Sequence, residues 1–220
     1  MLLCRQTSTR GKHTLGTLES VYYNTHWPRI QLESTIFRGL KEEPVMKQYK
    51  VGVIGGTGMV GQRFVTLLEN HPWFQLTAIA ASAKSAGKPY WETVGSRWAL
   101  DVPCPEEAKS LVVLDAEADA EKLAGMVDFC FCAVNMKKEE IRALEEKYAR
   151  LECPIVSNNS ANRWTDDVPM VVPEINAEHL EVIEAQRKRL GTKRGFIAVK
   201  SNCSLQSYVP ALQRQVRQPC

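Results

Sequence analysis

The sequence has no apolar run long enough to cross a bilayer. Its longest stretches, such as Phe129 to Val134, fall far short of the ~20 residues a spanning helix needs. Histidine is scarce, with four in 220 residues, and His71 and His179 have no clustered partners, so neither is a candidate general base. The seven cysteines are odd in number and lack a framework spacing, and no charged-then-apolar segment with a cleavage site opens the chain. A secretory route is therefore not expected, and reduced thiols in a cytoplasmic setting fit best. The body of the chain also lacks net charge. Residues 1–50 hold eight Lys and Arg against four Asp and Glu, whereas the remaining 170 hold 20 against 21. That balance gives no electrostatic reason to expect nucleic acid or a membrane as partner. No internal repeat or low-complexity tract is present.

What is present is one core's worth of apolar sequence, 44% of the residues, behind a leader of different character. Residues 1–46 are rich in Ser and Thr and broken by Gly11, Gly16, Pro28, Gly39 and Pro44, which predicts a poorly ordered leader. A transit peptide is one reading, opposed by Glu19, Glu33, Glu42 and Glu43; an upstream start before Met46 is the other.

From Lys50 onward apolar strands alternate with amphipathic helices. Val51 to Ile54, Leu76 to Ala81, Leu111 to Leu114, Phe129 to Val134, Pro154 to Ser157 and Phe196 to Val199 read as strands. A helix is predicted from Gly58 to Asn70 with Phe64, Leu67 and Leu68 on one face. Another near 137–149 carries Ile141, Leu144 and Tyr148, and a third, capped by Asn176, carries Leu180, Ile183 and Leu190. Near-continuous apolar strands between helices predict a doubly wound α/β domain with a parallel sheet, over residues 47–199. Cys130 and Cys132 are expected to alternate into that sheet, and no metal is expected. The basic cluster Arg187-Lys188-Arg189 with Lys193 and Arg194 suits the solvated end of a helix.

Between the first strand and the first helix lies Gly55-Gly56-Thr57-Gly58-Met59-Val60-Gly61. The first glycine of this G-x-x-G-x-x-G spacing allows a sharp turn, the second a close approach of backbone to a pyrophosphate, and the third a tight helix–strand packing. An acidic residue ending the second strand would bind the ribose of NAD. Here that strand ends Ala80-Ala81-Ser82-Ala83-Lys84-Ser85, and two hydroxyls and a lysine suit a 2′-phosphate. NADP is therefore predicted, with Ser82, Lys84 and Ser85 around its phosphate; an ordinary polar loop is the alternative. Ser201-Asn202-Cys203-Ser204 falls between a strand and a helix predicted from Leu205 to Gln213, where N–H groups and the helix dipole favour a thiolate nucleophile.

Five phrases occur in order: the glycine loop, Ser82 to Gly87, Val156-Ser157-Asn158-Asn159-Ser160-Ala161-Asn162-Arg163, Val168-Pro169-Met170-Val171-Val172-Pro173-Glu174-Ile175-Asn176, and Ser201 to Ser204. Together, over roughly residues 47–212, they resemble aspartate-semialdehyde dehydrogenase, in particular its archaeal and fungal branch. The resemblance implies a Rossmann-like domain followed by an α+β catalytic and dimerisation domain, and homo-oligomers among full-length members. It implies NADP-dependent reduction of aspartyl 4-phosphate to aspartate 4-semialdehyde, a step toward lysine, methionine and threonine. Cys203 is then the nucleophile, Arg163 the holder of phosphate, and Asn202 a residue that positions substrate or the backbone beside the cysteine. Gly55, Thr57, Gly58, Met59, Val60, Gly61, Ala133 and Asn135 border the cofactor by the same analogy.

Family members continue for a second half that supplies a histidine base and an arginine for the substrate carboxylate. The chain ends 17 residues after Cys203, so the resemblance implies a truncated form, weakly active at best, with residues 200–220 the start of the second domain. Malonyl-CoA reductase and N-acetylglutamyl-phosphate reductase are related alternatives, and a non-catalytic NADP-binding module is a different one.

Overall fold

The strands form where β-branched and aromatic residues run together, and the parallel order follows from the helices between them. A computed structural model describes residues 48–216; the expected leader and the last four residues lie outside the described residues. In chain order the elements are β1 (Tyr49–Ile54), α1 (Met59–Leu67), β2 (Phe74–Ala81), α2 (Tyr90–Val94), α3 (Glu106–Lys109), β3 (Val113–Asp115) and α4 (Ala120–Met126). They continue with β4 (Phe129–Cys132), α5 (Lys138–Arg150), β5 (Ile155–Ser157), β6 (Met170–Val171), α6 (Pro173–Asn176), α7 (Ile183–Leu190), β7 (Ile197–Lys200) and α8 (Cys203–Val216).

The sheet is seven-stranded and parallel throughout, in the order β3-β2-β1-β4-β5-β7-β6. The order reverses between β1 and β4, the place where doubly wound sheets open a crevice. Register aligns the strand ends: Ile54 pairs with Ala80 and Cys132, and Ser157 with Cys132 and Val199. Every loop after β1, β2, β3, β4, β5 and β7 therefore leaves from one edge.

Alternation along β1 sends Val51 and Val53 to a cluster with Leu68, and Ile54 to a larger cluster with Leu123, Cys130, Cys132, Leu144, Tyr148 and Ile155. Both faces of the sheet are thus covered. Cys130 and Cys132 are buried while Phe129 and Phe131 are half-buried, as the alternation predicts. On α1 the buried face is Gly61, Gln62 and Val65. Phe64 stacks on Phe131 at 4.7 Å, but Leu67 is exposed, which corrects its expected place.

Asn176 stands at the N-cap position of a 3₁₀ stretch, Ala177–Val182, but its side chain makes no cap bond. Pro173 opens α6 three residues earlier, since its fixed φ suits a first helical position, and the Asn176 side chain folds back to Val172 N and Met170 O. The expected helix is instead α6, a 3₁₀ stretch Ala177–Val182 and α7. His179 sits in the 3₁₀ stretch, half-buried, with Nδ1 3.3 Å from Met170 N. Carboxylates take up part of the basic cluster at the end of α7: Arg189 pairs with Asp167 and Glu146, and Arg194 with Asp128.

Glu152, in a left-handed conformation at φ 60°, ties the α5–β5 link to the α7–β7 link by accepting N–H bonds from Lys193, Arg194 and Gly195. Those bonds hold its carboxyl below the ordinary value of 4.5. A lowered folded value means the stabilisation is full above the unfolded pKa and is lost as pH falls through the folded one. The stability gap between the native protein and Glu152→Gln is expected to shrink between about pH 6 and pH 3 in urea titrations. A gap that stays constant would show that the carboxylate's charge contributes nothing.

Candidate active site

The glycine loop turns where the sequence places it. Gly55 adopts φ +86°, and its N–H and that of Gly56 bond to Ala80 O at 2.8 and 3.2 Å. A Cβ on Gly55 would stand 2.5 Å from Ala133 O, so the turn needs both the positive φ and the missing side chain. At Gly61 a Cβ would run into Gly55 O and Gly56 Cα, which is the close helix–strand packing expected of the third glycine. Gly58 differs. Its φ is ordinary, and a Cβ there would meet only Gly55 O, at 3.6 Å. No protein atom requires a glycine at 58, but a cavity of about 430 Å³ opens in front of it.

That cavity lies at the strand-order reversal and is lined by Gly55, Thr57 and Gly58 after β1, Ser82 after β2, Asp115 and Glu117 at the end of β3, and Ala133 and Asn135 after β4. Its size and concave form suit a small ligand or cofactor. Met59 and Val60 begin α1, whose leading N–H groups have no preceding turn to bond, and do not line the cavity. Lys84 is exposed and Ser85 buried in a turn closed by Ser85 N to Ser82 O at 2.9 Å; only Ser82 of the three lines the cavity. Asp115, Glu117 and Met136 line it too, although no motif marks them. The signal for Asp115 and Glu117 was position alone, because they follow a strand of a sheet whose ligands gather at strand carboxyl ends.

Farther along the same edge, after β5 and β7, the structure brings Arg163, Asn202 and Cys203 together. Cys203 is exposed at the first position of α8, 3.6 Å from Lys200 Nζ. The head of α8 and the Lys200 ammonium both lie beside its sulfur. Cys104, Cys130 and Cys132 are buried, and desolvation pushes their thiols up, so they are inert by comparison. Asn202 caps α8, its Oδ1 accepting from Ser204 N at 3.0 Å, which fixes the backbone beside the cysteine. Arg163 is half-buried. Its Nε donates to Lys200 O at 3.1 Å, and Nη2 donates to Ser201 O and Asn158 O. Nη1 keeps its two N–H donors outside these bonds.

The turn that carries Arg163 is tied to α5 by a residue the sequence reading left unmarked. Glu145 is 1% exposed and accepts from Ser157 Oγ at 2.5 Å, Asn162 Nδ2 at 2.7 Å and Asn159 Nδ2 at 3.2 Å. A buried carboxylate needs several donors, and these three come from the end of β5 and the loop after it. Among the described residues no cluster of three or more His, Cys, Asp or Glu is placed to hold a metal ion, and no helix is long and apolar enough to cross a membrane.

Fold and site define a doubly wound α/β domain with a nucleotide-type glycine loop and a cysteine on the same sheet edge. Residues 50–183 match the family model for the NAD binding domain of semialdehyde dehydrogenase, and the chain belongs to that family. It is homologous to aspartate-semialdehyde dehydrogenases, with 45% identity over 154 residues to the one from Methanothermobacter thermautotrophicus, covering 70% of this chain and 42% of the relative. The crystal structure of the Candida albicans aspartate semialdehyde dehydrogenase with NADP superposes with a TM-score of 0.67 at 35% identity, covering 77% of this chain and 47% of that one. The Vibrio cholerae aspartate semialdehyde dehydrogenase II complexed with ASA gives 0.54 at 26% identity, with 76% and 46% covered. The chain thus spans less than half the length of these relatives.

Proposed function

We propose that this chain is the NADP-binding, cysteine-bearing part of an aspartate-semialdehyde dehydrogenase, acting between aspartyl 4-phosphate and aspartate 4-semialdehyde. The observation that carries the reading is one sheet edge that presents the glycine-loop cavity after β1, β2 and β4, then Arg163 and Cys203 after β5 and β7. NADP fits this edge: Gly58 leaves room where no protein atom needs it, and Ser82 stands at the cavity end where NAD would ask for an acid. When bound it supplies the hydride exchange.

The chain's own residues supply the acyl chemistry. Cys203 Sγ forms a carbon–sulfur bond with the substrate's carbonyl carbon, since a thiolate is both a good nucleophile and a good leaving group. N–H groups at the start of α8 face the developing oxyanion. In the oxidative direction, inorganic phosphate held by Arg163 Nη1 attacks the thioester carbon, the carbon–sulfur bond breaks, and the acyl phosphate leaves. Asn202 keeps the cysteine at the head of the helix.

NADP should bind more tightly than NAD in calorimetric titrations of the purified chain. Tighter NAD would overturn the assignment of Ser82, Lys84 and Ser85 to a 2′-phosphate. Phosphate-dependent NADPH formation from aspartate semialdehyde that stops in Cys203→Ser would carry the enzyme reading. NADP bound without turnover would carry the second reading, a non-catalytic NADP-binding module. One observation favours that second reading. The two histidines among the described residues, His71 and His179, bond to the backbone of Trp73 with Phe74 and of Met170.

A further inference from the structure

Two side chains hold the glycine loop from behind. Tyr90, in α2, is fully buried, and its hydroxyl donates to Gly56 O at 2.7 Å. Gln62, in α1, is 1% exposed, and its Nε2 donates to Thr57 O at 3.2 Å and Arg97 O at 3.1 Å, while Oε1 accepts from Ala99 N at 2.8 Å. Two consecutive loop carbonyls are therefore fixed by donors from two different helices. A trans peptide is planar, with C=O and N–H opposed. Pulling Gly56 O toward Tyr90 sends the Thr57 N–H the other way, toward the side of the loop where Thr57 and Gly58 line the cavity. That N–H donates no hydrogen bond to any described residue.

We propose that Tyr90 and Gln62 are positioning residues for the dinucleotide's pyrophosphate: by anchoring Gly56 O and Thr57 O they aim the Thr57 N–H into the cavity before any ligand arrives. The proposal rests on the reading of the cavity as an NADP site. Preorganised donors bind better because the ligand does not have to order them. The Tyr90 hydroxyl itself never touches the ligand. Burial pushes its titration far above the ordinary tyrosine range, so it stays a donor across the working pH range.

The test uses the full chain with two ligands, NADPH, which carries a pyrophosphate, and adenosine 2′-monophosphate, which does not. Losing one hydrogen bond to the loop should weaken NADPH about three- to tenfold in Tyr90→Phe, with adenosine 2′-monophosphate unchanged within about twofold. Gln62→Leu should show the same split. Ile155→Val, a core change away from the loop, lowers the melting temperature and serves as the control, with both affinities unaltered. Unchanged NADPH affinity in Tyr90→Phe, or an equal loss for both ligands, overturns the proposal. Failure of the unaltered chain to bind NADPH would instead overturn the reading of the cavity.

Discussion

Replacing Gly61 with alanine is expected to destabilise the domain by about 2 kcal/mol and to abolish measurable dinucleotide binding. Helix propensity alone favours the substitution, because Gly61 lies inside α1 and alanine is better there by about 1 kcal/mol. The new methyl, however, would run into Gly55 O and Gly56 Cα. Neither is the yielding tip of a long side chain. Gly55 O accepts from Gly58 N at 3.1 Å, and Gly55 and Gly56 both bond back to β2 through Ala80 O, so relief requires the whole loop to move. Moving it opens the helix–strand contact and swings the N–H groups that face the cavity. Gly125 supplies the contrast. It is also helical, in α4, and a Cβ there meets nothing within 4 Å, so Gly125→Ala should stabilise by about 0.5–1 kcal/mol and leave binding alone. Urea unfolding with NADPH fluorescence checks both; equal behaviour of the two variants would refute the steric argument.

Glu145→Leu is expected to cost about 3–5 kcal/mol, the largest loss from any single side chain discussed. The carboxylate is buried on α5 and its acceptors answer three donors, the Ser157 hydroxyl and the amides of Asn159 and Asn162. Leucine fills a similar volume but leaves Ser157 Oγ and Asn162 Nδ2 unmatched and Asn159 Nδ2 with only Cys132 Sγ, and an unmatched buried donor costs about 1–3 kcal/mol. The loss reaches the site because Asn162 precedes Arg163, whose guanidinium braces the carbonyls of Lys200 and Ser201 just before Cys203. Glu145→Gln should fall between, near 1–2 kcal/mol, since one oxygen still accepts while the new amide faces a donor. Chemical denaturation ranks the three proteins, and alkylation of Cys203 by iodoacetamide reports the site. A leucine variant as stable as the native chain would show that the carboxylate is not what holds the loop.

The sequence told much of the fold because its strands are apolar runs and its helices between them have one apolar face. Val51 to Ile54, Phe129 to Cys132 and Ile155 to Ser157 lie within a residue or two of where that pattern puts them. The short α2, α3, α4 and β6 were not legible, since elements of two to seven residues carry too little periodicity to separate from a loop. Asn176 misled for a different reason. It stands at the N-cap position of the 3₁₀ stretch, but its side chain is taken up by Val172 N and Met170 O, across the turn that Pro173 starts.

In the site, the glycine spacing announced its own geometry only in part: Gly61 answers a steric demand made within a few residues, Gly55 one made by Ala133 across the sheet, and Gly58 none from any protein atom. Cys203 was legible as a thiol between a strand and a helix. Glu145 was not, since within an amphipathic helix a glutamate beside Leu144 reads as solvent-facing; its burial depends on donors 12 to 17 residues away. Tyr90 carried no signal in the sequence: it opens the short α2, and its partner Gly56 lies 34 residues back.

By itself the sequence determined the parallel α/β architecture and the glycine loop, because these rest on periodicity and short spacing, which act between near neighbours along the chain; the family came from the resemblance of five ordered phrases. Only the tertiary structure decided the strand order, the membership of Asp115 and Glu117 in the cavity wall, the burial of Glu145 and the anchoring of the loop by Tyr90 and Gln62. These depend on which distant polar groups meet once water is excluded, and a buried donor or acceptor takes whatever partner the packing brings to it.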